Sequence, residues 1–320
     1  MKILVTGASG FVGTATTVHL ETLGHEVIQL IGPSRAAGPA SFPVDLADES
    51  TFPDPRSFSP IDAVVHCAGI AHRFGPAAQK DFERVNVRGV ENTLRFAVQA
   101  GAKHFVLISS VLVYGTPPNA EPITEDYPTT PDDDYGRSKL EGERVAIKMC
   151  GDASIRLSIL RPAPIIGEGS RGNIARLIRA IDRRRFVWVG DGRNKRSFVY
   201  VGDVARAIGA VLDRSNQELS IFNLAGQSMT VAELVALIEE KLERRTPRLR
   251  IPGATVRAID RIAAVVKQIP SVERVRRTLA TWMADAVYSG ENIERNLGFV
   301  PETTIREAIG REIDHYLASK

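Results

Sequence analysis

The chain of 320 residues is longer than one ordinary domain and fits either two domains or one large α/β domain with an appendage. Its 43% hydrophobic and 25% charged residues predict a sizeable buried core, and no run nears the about 18 continuous apolar residues that span a bilayer. A formal charge of +3 is too small to argue for nucleic acid, and short basic clusters (Arg183–Arg185, Lys195-Arg196, Arg274–Arg277) read as solvated helix surfaces and ends, Arg196 excepted. The N-terminus enters a strand at once, with no basic leader, so a cytoplasmic protein is expected. Cys67 and Cys150 belong to no metal-spaced or CxxC pattern; two free, buried thiols are expected and no metal.

In chain order, apolar runs predict strands over Lys2–Thr6, Glu26–Ile31, Asp62–His66, His104–Ser109 and Ile155–Leu160. Helix-length segments lie between them near Phe11–Leu23, Gln79–Ala100 and Asp134–Met149. Most of the strands are continuously apolar, as expected where both sheet faces are covered. Gly32–Pro60 reads as loop with one short strand ending at Asp45. After Arg161-Pro162 the texture changes. A helix Ile174–Asp182 is followed by strands Phe186–Val189 and Ser197–Val201, then by helices Asp203–Leu212, Val231–Leu242, Val256–Ile269 and Thr304–Leu317. The expected fold class is α/β, a Rossmann-type doubly wound parallel sheet with a smaller, more helical C-terminal substrate domain. The expected division is a cofactor domain over 1–163 with the strand and helix near 197–224, interleaved with a substrate domain over 164–196 and 225–320.

Thr6-Gly7-Ala8-Ser9-Gly10-Phe11-Val12-Gly13 sits between the first strand and the first helix. Gly7 suits a tight turn, Gly10 a close approach of backbone to a pyrophosphate, and Gly13 close packing of helix on strand. The phosphates would face amides at the positive helix end. Glycines alone are weak evidence; their place in a βαβ unit makes the dinucleotide reading strong. NAD-binding units carry an acid near the end of the second strand, but here Ile31 stands there, followed by Gly32-Pro33-Ser34-Arg35. Nothing repels a 2′-phosphate, and Ser34 and Arg35 could bind one; the plainer alternative for Arg35 is a solvated loop residue. NADP is therefore favoured over NAD. Asp45 could hydrogen-bond the adenine amino group.

Tyr135 and Lys139 are four residues apart, hence on one helix face. A phenol with its ordinary pKa of about 10 is a poor base, and a neighbouring ammonium would favour the phenolate. Such pairs are usually surface residues. Ser109-Ser110, at the carboxyl end of the fifth expected strand, supplies a hydroxyl at the sheet edge where ligands bind, so Tyr135 becomes a credible acid/base for alcohol–ketone interconversion.

With these motifs the sequence resembles the extended short-chain dehydrogenase/reductase family, in its nucleotide-sugar epimerase/dehydratase branch. The matches run in order: residues 6–13, His66-Cys67-Ala68-Gly69, Asn86-Val87-Arg88-Gly89, Ser109-Ser110 through Val113-Tyr114-Gly115, Tyr135–Lys139 and Arg161-Pro162. The resemblance implies Ser110, Tyr135 and Lys139 as catalytic residues, with Lys139 on the nicotinamide ribose. It implies cofactor contacts from Gly7, Gly10, Phe11, Val12, Gly13, Ser34, Arg35, Asp45, Leu46, Cys67, Ala68, Gly69, Asn86, Tyr135, Lys139 and Pro162, Asn86 chiefly supporting the catalytic helix. Ser110, Asn173 and Arg196 would bind substrate, the last two on the diphosphate. A homodimer through Gln79–Ala100 and Ser138–Met149 is implied as well.

Three departures from the pattern stand out, at four positions. Val111 and Leu112 replace the Asp-Glu pair of 4,6-dehydratases, which removes the acids that drive water elimination. Pro164 stands where many members carry an asparagine on the diphosphate, and Ile31 replaces the usual acid. The implied function is hydride transfer at C4 of a nucleoside-diphosphate sugar by a UDP-sugar 4-epimerase. The alternatives are an NADPH-dependent 4-ketosugar reductase and, from another class, a non-catalytic NADP-binding redox sensor, against which the joint presence of Ser110, Tyr135 and Lys139 speaks.

Overall fold

A computed structural model of the chain describes residues 1–71, 78–116, 121–247, 250–251 and 284–320. The expected helix Val256–Ile269 and the Arg274–Arg277 cluster lie outside the described residues. The first strand, β1 (Lys2–Thr6), carries Ile3, Leu4 and Val5 with no exposed surface, each contributing roughly 1.5–3 kcal/mol of burial. Beside it lie β2 (Glu26–Ile31), the short β3 (Ser41–Pro43), β4 (Ala63–His66), β5 (His104–Ile108) and β6 (Arg156–Pro162). Further along come β7 (Ile165–Ile166), β8 (Trp188–Val189), β9 (Lys195–Ser197), β10 (Val199–Tyr200), β11 (Leu219–Leu224), β12 (Ser228–Thr230) and β13 (Arg250–Ile251). Seven of these form one sheet in the order β11-β6-β5-β4-β1-β2-β3, and every pairing in it is parallel.

Both faces of the sheet are covered. Helices α1 (Phe11–Thr22) and α6 (Val201–Arg214) pack together over one face, closing a core that includes Val5, Leu20, Val106, Ile208 and Phe222. On the other face α3 (Arg88–Gln99) and α4 (Asp134–Ala153) cover Leu4, Val64, Phe105 and Ile159. A third core gathers Ile178, Leu234, Ile238 and Ile309 from α5 (Asn173–Asp182), α7 (Val231–Leu242) and α9 (Ile305–Ala318), while the short α8 (Glu291–Leu297) packs on β11. Among the described residues no helix is long and apolar enough to cross a membrane, and no group of three or more His, Cys, Asp or Glu could hold a metal.

Several expected elements change shape. The single helix over Gln79–Ala100 is three pieces: α2 (Ala78–Phe82), a π-helical turn Glu83–Val87, and α3. The expected strand Ser197–Val201 breaks into β9 and β10, and Val201 already begins α6. Phe186–Val189 shortens to Trp188–Val189. β11, unexpected from the sequence, closes the sheet beside β6.

Candidate active site

Strand order reverses at β1, which has β2 on one side and β4 on the other, so the carboxyl ends of β1 and β4 open a crevice of the kind that binds ligands in α/β sheets. The glycine loop fills the β1 side. Gly7 has φ +65°, and a Cβ there would lie 2.7 Å from the Ala68 Cα after β4. A Cβ on Gly13 would lie 2.0 Å from the Gly7 carbonyl oxygen, so only glycine lets α1 start this close to the loop. Gly10 is exposed and N-caps α1 with no side-chain hydrogen bond, and the first turn holds no acid. That end of α1 thus presents Phe11, Val12 and Gly13 amides to the crevice with nothing negative in the way, which fits the pyrophosphate of a dinucleotide.

At the end of β2, Ile31 is buried in the core layer under α1 and α6, and Ser34 and Arg35 are exposed beyond it. The Arg35 amide donates to the Gly32 carbonyl at 3.0 Å, closing a turn that holds the residue next to the strand end. Asp45 follows β3, but its carboxylate is already engaged. Arg84 donates to it at 2.9 Å and the Ala47 amide at 3.1 Å, so an adenine amino group would share this acceptor. Leu46, beside it, is half-buried, and its carbonyl accepts from Asn92 at 2.9 Å.

Past β4, His66 accepts or donates at Nδ1 to the Thr6 hydroxyl, 3.0 Å away, and burial pushes its pKa down to about 3, so it is neutral. Cys67 is half-buried with its thiol 3.8 Å from the Thr16 hydroxyl, and burial pushes that thiol up to about 12. Cys150 is buried and also free. Ala68 is buried and Gly69 exposed; a Cβ on Gly69 would lie 3.2 Å from both Asn86 Oδ1 and Lys139 Nζ. Asn86 sits in the π-helical turn, where an inserted residue turns its side chain inward. Its Nδ2 donates to the Ser138 hydroxyl at 2.9 Å and to the Ile70 carbonyl at 3.1 Å, and its Oδ1 accepts from the Ile70 amide at 2.8 Å. The asparagine therefore ties the strand-end loop to α4.

Ser110 and Tyr135 are brought together. Ser110 caps the 3₁₀ turn Val111–Tyr114, accepting from the Leu112 amide at 3.2 Å, and its side chain is near enough to the Tyr135 phenol to draw its pKa down. Tyr135 lies in the first turn of α4, whose start is fixed by Asp133 accepting from the Gly136 amide at 2.6 Å. Burial pushes the phenol up to about 12, the Ser110 side chain opposes that rise, and the Asp133 charge adds to it. Lys139, one turn on, is buried and pushed down to about 8. Its ammonium donates to the Ile108 carbonyl at 2.8 Å. The lysine shares the tyrosine's helix face and gives one of its three ammonium donors to the strand end.

The second-half residues are placed less closely. Pro162 ends β6 and is buried, and Pro164 is exposed. Asn173 is exposed in the first turn of α5, and no contact to Ser110, Tyr135 or Lys139 is described for it. Arg196, on β9, pairs across to Ala286. Burial lowers its pKa against an opposing effect of Tyr288, which stacks on Tyr114 at 6.2 Å between ring centroids. Sequence reading passed over one cluster here: Glu143, Arg161, Tyr114 and Asn223 form a buried chain of hydrogen bonds behind the trio. Glu143, at eight residues from Tyr135, had the spacing to reveal itself.

The family model described as the NAD dependent epimerase/dehydratase family matches residues 3–225. The N-acetyl-alpha-D-glucosaminyl-diphospho-ditrans,octacis-undecaprenol 4-epimerase of Escherichia coli O157:H7 is 27% identical, over 98% of this chain and 95% of its own. The UDP-glucose 4-epimerase of Vibrio cholerae is 28% identical, over 99% and 95%. Among solved structures, MoeE5 in complex with UDP-glucose and NAD superposes with a TM-score of 0.78 at 25% identity, over 100% of this chain and 99% of that one.

Proposed function

The chain belongs to the NAD dependent epimerase/dehydratase family, and from that premise we propose that it is a UDP-sugar 4-epimerase working through a 4-keto sugar. The observation that carries the reading is the meeting of Ser110 and Tyr135 at the carboxyl end of β5, with Lys139 one turn away and the glycine loop across the crevice. In its phenolate form, which a cationic nicotinamide bound beside it would favour, Tyr135 takes the proton from the sugar O4 as the C4 hydrogen would leave as hydride, and Ser110 holds the same oxygen. Bound dinucleotide supplies the hydride acceptor in this half and the donor in the next. The 4-ketone turns its other face, hydride returns to C4, and Tyr135 gives the proton back to O4. Lys139 and Asn86 hold the ribose side, Cys67, Ala68, Gly69 and Pro162 line the crevice, and Asn173 and Arg196 grip the diphosphate.

Two further observations support this choice. Val111 is buried and apolar and Leu112 carries no acid, so nothing next to Ser110 drives loss of water. Both curated relatives named above are 4-epimerases that differ in what the diphosphate carries. The test is incubation with a panel of UDP- and dTDP-sugars, with and without NADPH. Interconversion of C4 epimers without added cofactor is expected. Strict stoichiometric consumption of NADPH would overturn it in favour of the 4-ketosugar reductase, the reading that the missing acid at Ile31 favours.

The cofactor preference has its own test. With Ile31 apolar and Arg35 next to the strand end, NADP binding draws on one arginine–phosphate contact. Arg35→Ala is expected to weaken NADPH binding about tenfold and NADH binding hardly at all, as read by fluorescence titration. Equal loss for both nucleotides would make Arg35 a solvated loop residue. A homodimer through α3 and α4 is proposed with it, giving twice the 34.9 kDa chain mass in sedimentation.

A further inference from the structure

The trio leaves one buried charged pair without a purpose. Glu143 lies one helical turn past Lys139 and two past Tyr135 on α4, with its side chain 2% exposed and that of its partner Arg161 5% exposed. Two charges this far from water gain little from attraction alone unless every remaining lone pair and donor is used. Here they are used. Glu143 Oε1 accepts from the Ser109 hydroxyl at 2.5 Å and from Arg161 Nε at 3.0 Å, and Oε2 accepts from the other arm of Arg161 at 2.6 Å. Arg161 also donates to the Tyr114 hydroxyl at 2.8 Å, which donates to Asn223 Oδ1 at 2.8 Å, and the Asn223 amide donates to Glu125 at 2.6 Å. One carboxylate therefore joins the carboxyl ends of β5 and β6 and the catalytic face of α4.

We propose that Glu143 is a positioning residue of this site, clamping the Ser109-Ser110 strand end at a fixed reach from Tyr135 and supplying the anion that balances the Lys139 ammonium. The proposal rests on Ser110, Tyr135 and Lys139 being the proton-transfer trio. Ser109 is the residue before Ser110, so a bond on its hydroxyl fixes the backbone from which Ser110 projects. Around Lys139, β4 contributes His66, which is neutral, and Cys67, whose thiol stays protonated near neutral pH. β5 contributes the Ile108 carbonyl and the π-helical turn contributes Asn86, neither charged. On α4 itself, Tyr135 is neutral in the free protein; burial lowers the Lys139 pKa, and Cys67 and then Glu143 raise it. Lys139 is thus charged below about 8 and loses its charge above, and Glu143, one turn along the same helix, is one of the groups that hold the midpoint up.

Glu143→Gln keeps the shape and removes the charge. The Lys139 midpoint is expected to fall by about one pH unit, read by NMR on ε-¹³C-lysine protein with the resonance assigned by its loss in Lys139→Met. The alkaline limb of kcat against pH moves by the same amount. A lower melting temperature with both midpoints unmoved would make the pair merely structural and overturn the charge role. Ser109→Ala removes one oxygen and leaves every charge in place. It is expected to lower kcat about tenfold with KM little changed and the Lys139 midpoint unmoved; full kcat would overturn the clamp. Glu143→Asp keeps the charge and shortens the reach, so it should pair a wild-type midpoint with the kcat of Ser109→Ala. If Glu143→Gln does not fold, wild-type kcat in Glu143→Asp and Ser109→Ala overturns the proposal. The NMR midpoint needs no substrate, so its outcome is separate from that of the epimerase reading.

Discussion

Tyr135→Phe is expected to lower turnover by about a thousandfold or more while dinucleotide affinity stays within about threefold. The Tyr135 phenol lies by Ser110, whose side chain draws its pKa down, and its half-buried ring packs beside Phe82, whose ring centroid is 5.9 Å away. Phenylalanine keeps the ring and its packing. What goes is one hydroxyl, and even a lost hydrogen bond costs only about 1 kcal/mol, too little to unfold the site. The glycine loop, Gly69 and Lys139 are untouched, so the crevice that fits a dinucleotide keeps its shape. The measurement pairs an epimer-interconversion assay with titration of NADH and NADPH fluorescence and a thermal melt. An active Tyr135→Phe enzyme would end the assignment of this phenol as acid and base; an inactive one that also fails to bind dinucleotide would point to a collapsed crevice. Ser110→Ala is the milder companion, since it leaves the proton-carrying oxygen in place.

The parts of this fold that were legible from sequence are those governed by local pattern. Ile3-Leu4-Val5 is continuously apolar and the strand runs into a glycine loop, and both the parallel sheet and the crevice follow from that. β11 escaped because Leu219–Leu224 carries Ser220 and Asn223, which look like surface residues. They are buried, and each is satisfied from elsewhere: Ser220 by Ser215, and Asn223 by the Tyr114 hydroxyl 109 positions away. The break in Gln79–Ala100 escaped because one π-turn barely disturbs apolar spacing, yet it is what aims Asn86 at Ser138. Spacing placed Lys139 on the face of Tyr135 correctly but said nothing of where a four-carbon stem ends, and it ends on Ile108. Glu143 hid for a related reason. A carboxylate on a helix rich in charge reads as a solvated one, and only the third dimension brings Arg161 from β6 to meet it.

The largest effect from the smallest change is expected at Gly13. A methyl group there would lie 2.0 Å from the Gly7 oxygen, 2.7 Å from the Gly7 carbonyl carbon and 2.9 Å from the Ala8 Cα. All three are backbone atoms, so no side-chain rotation relieves the contact and α1 must back away from the loop. Overpacking of this kind costs about 1–3 kcal/mol, and the retreat carries the Phe11 and Val12 amides away from the place where a pyrophosphate would sit. Gly13→Ala is therefore expected to lower both the melting temperature and dinucleotide affinity, the latter about a hundredfold. Gly10→Ala meets only the Gly7 oxygen, at 3.0 Å, and should spare the fold while placing its methyl in the open crevice. Gly151→Ala, on α4 with nothing within 4 Å, is the control, and there alanine should stabilise by about 0.5–1 kcal/mol. Wild-type dinucleotide binding by a folded Gly13→Ala protein would mean that the dinucleotide does not lie on the start of α1, and the cofactor crevice would have to be sought elsewhere.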